Sequence, residues 1–284
     1  MDYGAFRVDP VNPVLGGEVV GLKLTDLDEE SCGALRRAWL DHQVLFFRDQ
    51  PMSLDDQKAV GRRFGELHIH PAAPAPEGHP EVMVVHADER SKTVAGYGWH
   101  SDVSCDAAPP MGSILRLTQV PAKGGGDTLF SSMYAAYDAL SDRMQRLLSG
   151  LTATHSSQHV YHGRYDITEN LRDGRYPSAS HPIVRVHPET SRKALYVNSG
   201  FTTRIDGMKR AESRALLDFL FEHVKNPEFQ CRFRWGAESV AFWDNRCVQH
   251  LAIWDYYPQV RHGYRVTILG DAPFGDEASA GHGG

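Results

Sequence analysis

The sequence predicts a mainly β protein with helices: a double-stranded β-helix, or jelly roll, decorated by α-helices. Three observations predict it. From Glu81 onward, short apolar runs of roughly four to ten residues alternate with Pro/Gly turns. Only two helical patterns interrupt these runs. The strands are therefore not separated by regular helices, as a parallel doubly wound sheet would require, and an antiparallel double sheet fits better.

The elements follow in chain order. "EESCGALRRAWLDH" (29–42) reads as a helix with Leu35, Trp39 and Leu40 on one face. "QVLFFRD" (43–49) follows as a short buried strand. Ser53 opens a second helix, "SLDDQKAVGRRFG", with Asp56 placed to reach back in a capping box and Gly65 expected to stop it. "EVMVVHAD", "MGSILRLTQV", "DTLFSS", "HPIVRVHP", "KALYVNS", "FQCRFRW", "SVAFWDN" and "GYRVTILG" read as strands. The two interrupting helices are "SSMYAAYDALSDRMQRLLSG" and "RAESRALLDFLFEHVKN". No repeat, low-complexity tract or linker divides the chain, so one domain over 1–284 is expected, with a flexible tail at 276–284.

Composition bounds the function classes. The 284 residues are 41 % hydrophobic, ordinary for a globular protein, and the net charge is −6. A nucleic-acid binder carries a basic field, so that class is set aside. No run approaches the roughly 18 apolar residues of a membrane span. No basic start with an apolar run marks a secretory signal. Cys32, Cys105, Cys231 and Cys247 lack CxxC spacing and read as free thiols, so the cytoplasm is the expected compartment. The 15 histidines make a metal site plausible without locating it.

A site needs donors that converge. In a strand, residues i and i+2 face one side, so His100 and Asp102 of "GYGWHSDVSC" could both point into a barrel. His250, in "WDNRCVQHLAIW", is the best third donor. Two imidazoles and a carboxylate leave one face of an octahedral ion open, which suits Fe(II). The spacing alone does not choose, because His86 and Asp88 in "VVHAD" form a second HxD pair. An arginine at 261 could equally lie on the surface, and one at 265 could form a structural salt bridge.

"WHSDVSC", "GGGDTLFSS", "WDNRCVQH" and "YRVTILGD", in this order and spacing, resemble the TauD/TfdA family of Fe(II)- and 2-oxoglutarate-dependent dioxygenases. "HQVLFFRDQ", "RRFGELHIHP" and "YVNSGFTTRI" extend the likeness over nearly the whole chain, and its taurine dioxygenase branch is the nearest match. In that family the HxD pair follows a tryptophan. The resemblance therefore implies His100, Asp102 and His250 as catalytic metal ligands, rather than His86 and Asp88. It implies Arg261 and Thr128 as the partners of 2-oxoglutarate, with O2 as the second co-substrate. It places His70, Val103, Phe201 and Arg265 around a small anionic organic substrate, with His68 structural. Trp99, Trp243 and Cys105 read as packing residues. Similar enzymes are homodimers or homotetramers.

The resemblance also implies departures. Ala73 stands where taurine-processing members carry tyrosine, Gly96 where they carry asparagine, and Ser157 where they carry phenylalanine. Each loss of bulk is expected to widen a taurine-sized pocket, unless "HSSQHVYHGRYD" folds back and refills it with Tyr161 or Tyr165. The expected reaction is hydroxylation of a sulfonate or related acid, with succinate and CO2 as co-products. The alternatives are a biosynthetic oxidase that desaturates or otherwise oxidises an amino-acid-derived acid, and a non-catalytic anion-binding jelly roll.

Overall fold

The computed structural model describes residues 1–70, 73–162 and 176–276. Its strands are β1 (Arg7–Pro10), β2 (Gly17–Val20), β3 (Val44–Phe47), β4 (Val82–Ala87), β5 (Gly112–Gln119), β6 (Thr128–Ser132), β7 (Thr152–Ser156) and β8 (Ser178–Pro182). They continue with β9 (Val184–Val186), β10 (Lys193–Leu195), β11 (Thr202–Ile205), β12 (Gln230–Phe233), β13 (Ser239–Asp244), β14 (Val248–Ala252) and β15 (Arg261–Ile268). The helices are α1 (Glu29–His42), α2 (Leu54–Arg62), α3 (Met133–Asp138), α4 (Asp142–Leu148), α5 (Gln158–Tyr161) and α6 (Arg210–His223).

A seven-stranded sheet in the order β1-β2-β3-β13-β5-β15-β4 forms one layer. It is antiparallel except for the β2–β3 pair. The sheets β12-β6-β14 and β11-β7-β8 and the β9–β10 hairpin complete the structure. The central strands β3 and β13 of the large sheet are buried on both faces. Val44, Phe46, Ala241 and Trp243 pack into a core shared with Phe130, Phe233 and Val248 of the β12-β6-β14 sheet. Leu45, Phe47, Val240 and Phe242 point the other way, onto Leu35, Ala38 and Trp39 of α1. Strands buried on both faces read as continuous apolar runs, which is why "VLFF" and "SVAFW" are visible in the sequence. Among the described residues no helix is long and apolar enough to cross a membrane.

Capping chemistry sets the helix starts. Asp28 and Ser31 form a reciprocal capping box at α1, and Ser53 and Asp56 form the expected one at α2. The stop of α2 differs from expectation. The helix ends at Arg62, and Gly65 serves a close approach instead: a Cβ there would lie 3.0 Å from Cγ2 of Ile268. The helix expected over 131–150 is two helices, because the Ser141 side chain accepts from Met144 N and starts α4 afresh. "HPIVRVHP" is likewise split at Ile183, where the chain leaves β7 and its carbonyl accepts from Tyr196. The flexible tail was expected at 276–284; of it, 277–284 lie outside the described residues, as does Tyr165.

Candidate active site

His250 stands on β14, inside the jelly roll, and forms an isolated bridge with His100: each backbone N–H donates to the other's carbonyl, at 2.9 and 3.1 Å. Asp102 corrects the strand argument, because it lies in a turn. Val103 after it has φ +47°, a left-handed conformation unfavourable for a β-branched residue. The turn, rather than i/i+2 alternation, brings the donors together. Asp102 Oδ1 lies 3.6 Å from His100 Nε2 and 3.9 Å from His250 Nε2.

The surroundings select this donor set. His100 Nδ1 donates to the Gly98 carbonyl at 2.9 Å, which leaves the Nε2 lone pair facing Asp102. Backbone crowds the ring closely: a Cβ on Gly200 would sit 2.7 Å from His100 Cβ, and one on Gly96 (φ +80°) 3.3 Å from Cε1. An asparagine at 96 would press on the His100 ring. Burial lowers the pKa of His250 well below the usual range, His100 and Arg265 add to this, and Asp102 opposes it, so its ring is neutral and able to ligate. Burial pushes Asp102 up, but Arg265, His250 and His100 together outweigh it and hold the carboxyl well below the usual range. His86 is exposed against His262, with Nδ1 atoms 3.1 Å apart, and Asp88 caps a turn through Ser91 and Arg90. Neither of them lines the cavity at His100.

Arg261 and Arg265 enter from β15. A register shift separates His262 from Gly263 on the β5 side, yet both arginines are buried and both line one cavity with Thr128, Trp243 and His250. Arg261 Nε donates to the Gly126 carbonyl at 3.0 Å, and its guanidinium lies over Trp235. Its Nη2 is buried without a hydrogen-bond partner. Burial pulls its pKa down to about 10 against the opposing pull of Tyr256 and Asp127. Thr128 Oγ1 accepts from Trp235 Nε1 at 3.0 Å, which leaves its own proton to give. Arg265 adopts the salt bridge the sequence left open: Nη1 lies 2.6 Å from Asp102 Oδ1, while Nε has no partner.

A second cavity, of about 90 Å³, opens beside His100 and Asp102. His70, Val103, Phe201 and Arg265 all line it, with Met83 and Gly96. His70 Nδ1 accepts from Ala73 N at 2.9 Å, and Nε2 lies 3.3 Å from the Tyr161 hydroxyl. Burial first, then Arg265 and His68, lower its pKa to about 3, so it is neutral with its proton on Nε2. His68 instead faces Asp106 at 3.3 Å. Ser157 turns its hydroxyl to the Pro177 carbonyl, and Tyr161 occupies the cavity wall beside Phe201. The bulk expected to be missing there is thus partly restored. Cys105 is buried beside Val103 and Tyr161, and burial raises its thiol pKa.

Sequence reasoning missed two residues at this site. Ser113 Oγ donates to Asp102 Oδ2 at 2.7 Å, and Asn245 Nδ2 donates to Ser113 Oγ at 2.9 Å. Asn245 lies inside the quoted "WDNRCVQH", but nothing in that string marks it as a neighbour of Asp102.

Known proteins resemble this chain over nearly its whole length. The profile described as "Taurine catabolism dioxygenase TauD, TfdA family" matches residues 7–267. An α-ketoglutarate-dependent sulfonate dioxygenase of Saccharomyces cerevisiae is 36 % identical over 294 residues, covering 97 % of this chain and 69 % of its own. An α-ketoglutarate-dependent sulfate ester dioxygenase of Pseudomonas putida is 36 % identical over 279 residues, covering 94 % and 91 %. The crystal structure of a taurine dioxygenase from Burkholderia xenovorans matches with a TM-score of 0.83 at 36 % identity, covering 96 % of this chain and 94 % of that one.

Proposed function

The chain belongs to the TauD/TfdA family and is an α-ketoglutarate (2-oxoglutarate)-dependent dioxygenase of Fe(II), and on that premise we propose that it hydroxylates a small organic anion, a sulfonate or related acid. His100, Asp102 and His250 hold the metal in this reading. The donor set fits it: two neighbouring imidazoles, His100 with its Nδ1 engaged and its Nε2 lone pair presented, and one ionised carboxylate are the ligands of non-haem Fe(II) oxygenases. Fe(II) with 2-oxoglutarate and O2 supplies the oxidation, one oxygen atom leaving in succinate with release of CO2 and the other entering a substrate C–H bond as hydroxyl. A carbon that bears a sulfonate or sulfate releases it once hydroxylated.

The chain's own residues bind and orient. The observation that carries the reading is Arg261: a buried guanidinium with an unpartnered Nη2, in a cavity shared with His250. A buried charge left unpaired is costly, and a planar carboxylate repays that cost best. Arg261 and Thr128 therefore receive the distal carboxylate of 2-oxoglutarate. In the second cavity, Arg265 Nε and His70 Nε2–H receive the substrate anion, while Val103 and Phe201 exclude water from the reacting carbon.

Asp102 is the only carboxylate lining the outer cavity among the described residues, so nothing there is built to receive an ammonium group. An acid with an uncharged, apolar tail fits this lining better than taurine does. The test is substrate-dependent succinate formation with Fe(II) across sulfonates, sulfate esters, aryloxy acids and amino acids. Taurine is expected to turn over more slowly than a larger apolar acid, since misplacement of about 1 Å costs on the order of 100-fold in rate. A panel in which no anion raises succinate above background removes the proposed substrate class.

A further inference from the structure

Asp102 sits on a loop, yet a metal ligand must be held to within a fraction of an ångström. We propose that Ser113 and Asn245 are positioning residues that aim the Asp102 carboxylate, an inference that rests on His100, Asp102 and His250 being the metal set.

The direction of the hydrogen bonds can be read without seeing a proton. Trp243 Nε1 can only donate, and its partner at 2.9 Å is Asn245 Oδ1. That fixes the amide of Asn245, so its Nδ2 faces Ser113 Oγ at 2.9 Å. Ser113 Oγ accepts there and gives its own proton to Asp102 Oδ2 at 2.7 Å. Asn245 Oδ1 also accepts from the Asp102 backbone N–H at 3.3 Å, so the chain holds the residue at both ends. Every member is buried.

Two consequences follow. Ser113 arrives as a donor, so Asp102 must present a lone pair on Oδ2; Oδ2 is thereby committed, and Oδ1, which also accepts from Arg265 Nη1 at 2.6 Å, is the oxygen that faces both Nε2 atoms. The chain is also anchored where the protein is stiffest. Ser113 and Trp243 are directly paired residues on β5 and β13, central strands of the seven-stranded sheet. A loop carboxylate is thus aligned from the sheet, as partners of metal ligands generally do.

The test is anaerobic Fe(II) titration of the metal-free protein, with the melting temperature measured alongside. Ser113→Ala should weaken Fe(II) binding by about 10- to 100-fold, the usual effect of removing a ligand's outer partner. Ser113→Thr, which keeps the hydroxyl, should restore it, and Asn245→Ala should fall between wild type and Asp102→Ala. If Ser113→Ala melts lower but binds Fe(II) like wild type, the serine is merely structural and the proposal is overturned. If Ser113→Thr does not refold, Ser113→Ala still decides the matter. If wild type and Asp102→Ala bind Fe(II) equally, the metal assignment itself has failed, an outcome separate from failure of the positioning role.

Discussion

Two buried clusters in this molecule use the same residue types and differ in what they leave over. One is His100, Asp102 and His250; the other is His187, Asp244 and Cys247. In the second, Asp244 accepts from Arg246 Nε at 2.9 Å and Nη2 at 2.7 Å, and from His187 Nε2 at 3.0 Å. His187 Nδ1 accepts the backbone N–H groups of Glu189 and Thr190, and Arg246 Nη1 donates to Glu189. Burial, then Asp244, raises the Cys247 pKa well above the usual range, so it is a thiol and no ligand. That cluster is closed on itself. In the first, both Nε2 atoms lie beyond hydrogen-bond reach of the carboxylate, His250 Nδ1 has no partner, and the neighbouring arginines keep Arg261 Nη2 and Arg265 Nε unpaired. Residue type does not separate the two clusters; the unspent donors do.

The largest effect separates the two clusters by what fails. His100→Ala, Asp102→Ala and His250→Ala should each abolish Fe(II)-dependent succinate formation; circular dichroism and melting should stay near wild type for the two histidine variants, whereas Asp102→Ala also strands the buried Arg265 and should melt lower. His86→Ala and Asp88→Ala should retain turnover. If His86→Ala lost iron binding and His100→Ala kept it, the wrong HxD pair would have been assigned. The mirror experiment is Arg246→Met. It strands a buried carboxylate, so stability should fall by about 3–5 kcal/mol in a denaturant titration, with kcat/KM of the folded fraction little changed. Asp244 carries a matching acid dependence. Burial raises its pKa, but Arg246 and His187 outweigh that and hold it below the ordinary aspartate range. Its contribution is therefore present above the unfolded-state pKa and lost as pH falls below it.

A smaller effect tests the unspent donors. Arg261→Lys keeps the charge and loses the two-pronged donor geometry. The apparent 2-oxoglutarate affinity should fall by about 1.5–3 kcal/mol, the range for hydrogen bonds to charged groups. An unchanged KM for 2-oxoglutarate would take Arg261 out of that role and make its empty Nη2 a packing accident.

Particular residues show how much of this was legible. β3 and β13 were readable because both of their faces are buried and, Asp244 at the end of β13 apart, every residue is apolar or small. β7, "TATHS", was not, because it is short and mostly polar, with only Ala153 and His155 fully buried. Spacing made His100 and Asp102 candidates by assuming a strand, and family likeness chose them over His86 and Asp88, whereas it is the turn at Val103 that brings them beside His250; no local sequence rule predicts a left-handed valine. Arg261 stood out only through family likeness, since an arginine at a strand start has no pattern of its own. Ser113 was invisible: a serine opening a strand becomes significant only when the fold sets it 2.7 Å from a carboxylate 11 positions away. His187 and Arg246 went unnoticed for the same reason, since closure of a cluster is a property of three dimensions.

The smallest effect concerns Tyr161, where the open cluster meets the outer cavity. Its hydroxyl lies 3.3 Å from His70 Nε2, the nitrogen that carries the proton offered to the substrate anion in the proposed reading. If Tyr161 only holds that histidine in place, the contact with His70 that Tyr161→Phe removes is a neutral hydrogen bond, worth about 0.5–1.5 kcal/mol, and the ring stays against Phe201. The value of kcat/KM for the best acid should then change by no more than about tenfold, because each 1.4 kcal/mol is a factor of ten, and the melting temperature should hardly move. His70→Ala should cost more than Tyr161→Phe, because it removes the donor itself, and the double variant should be no worse than His70→Ala alone. A loss beyond about 100-fold in Tyr161→Phe, additive with His70→Ala, would mean that the tyrosine hydroxyl binds the anion directly. Tyr161 would then take the place of the tyrosine missing at Ala73, and the segment after β7 would have rebuilt the anion site rather than merely narrowed it.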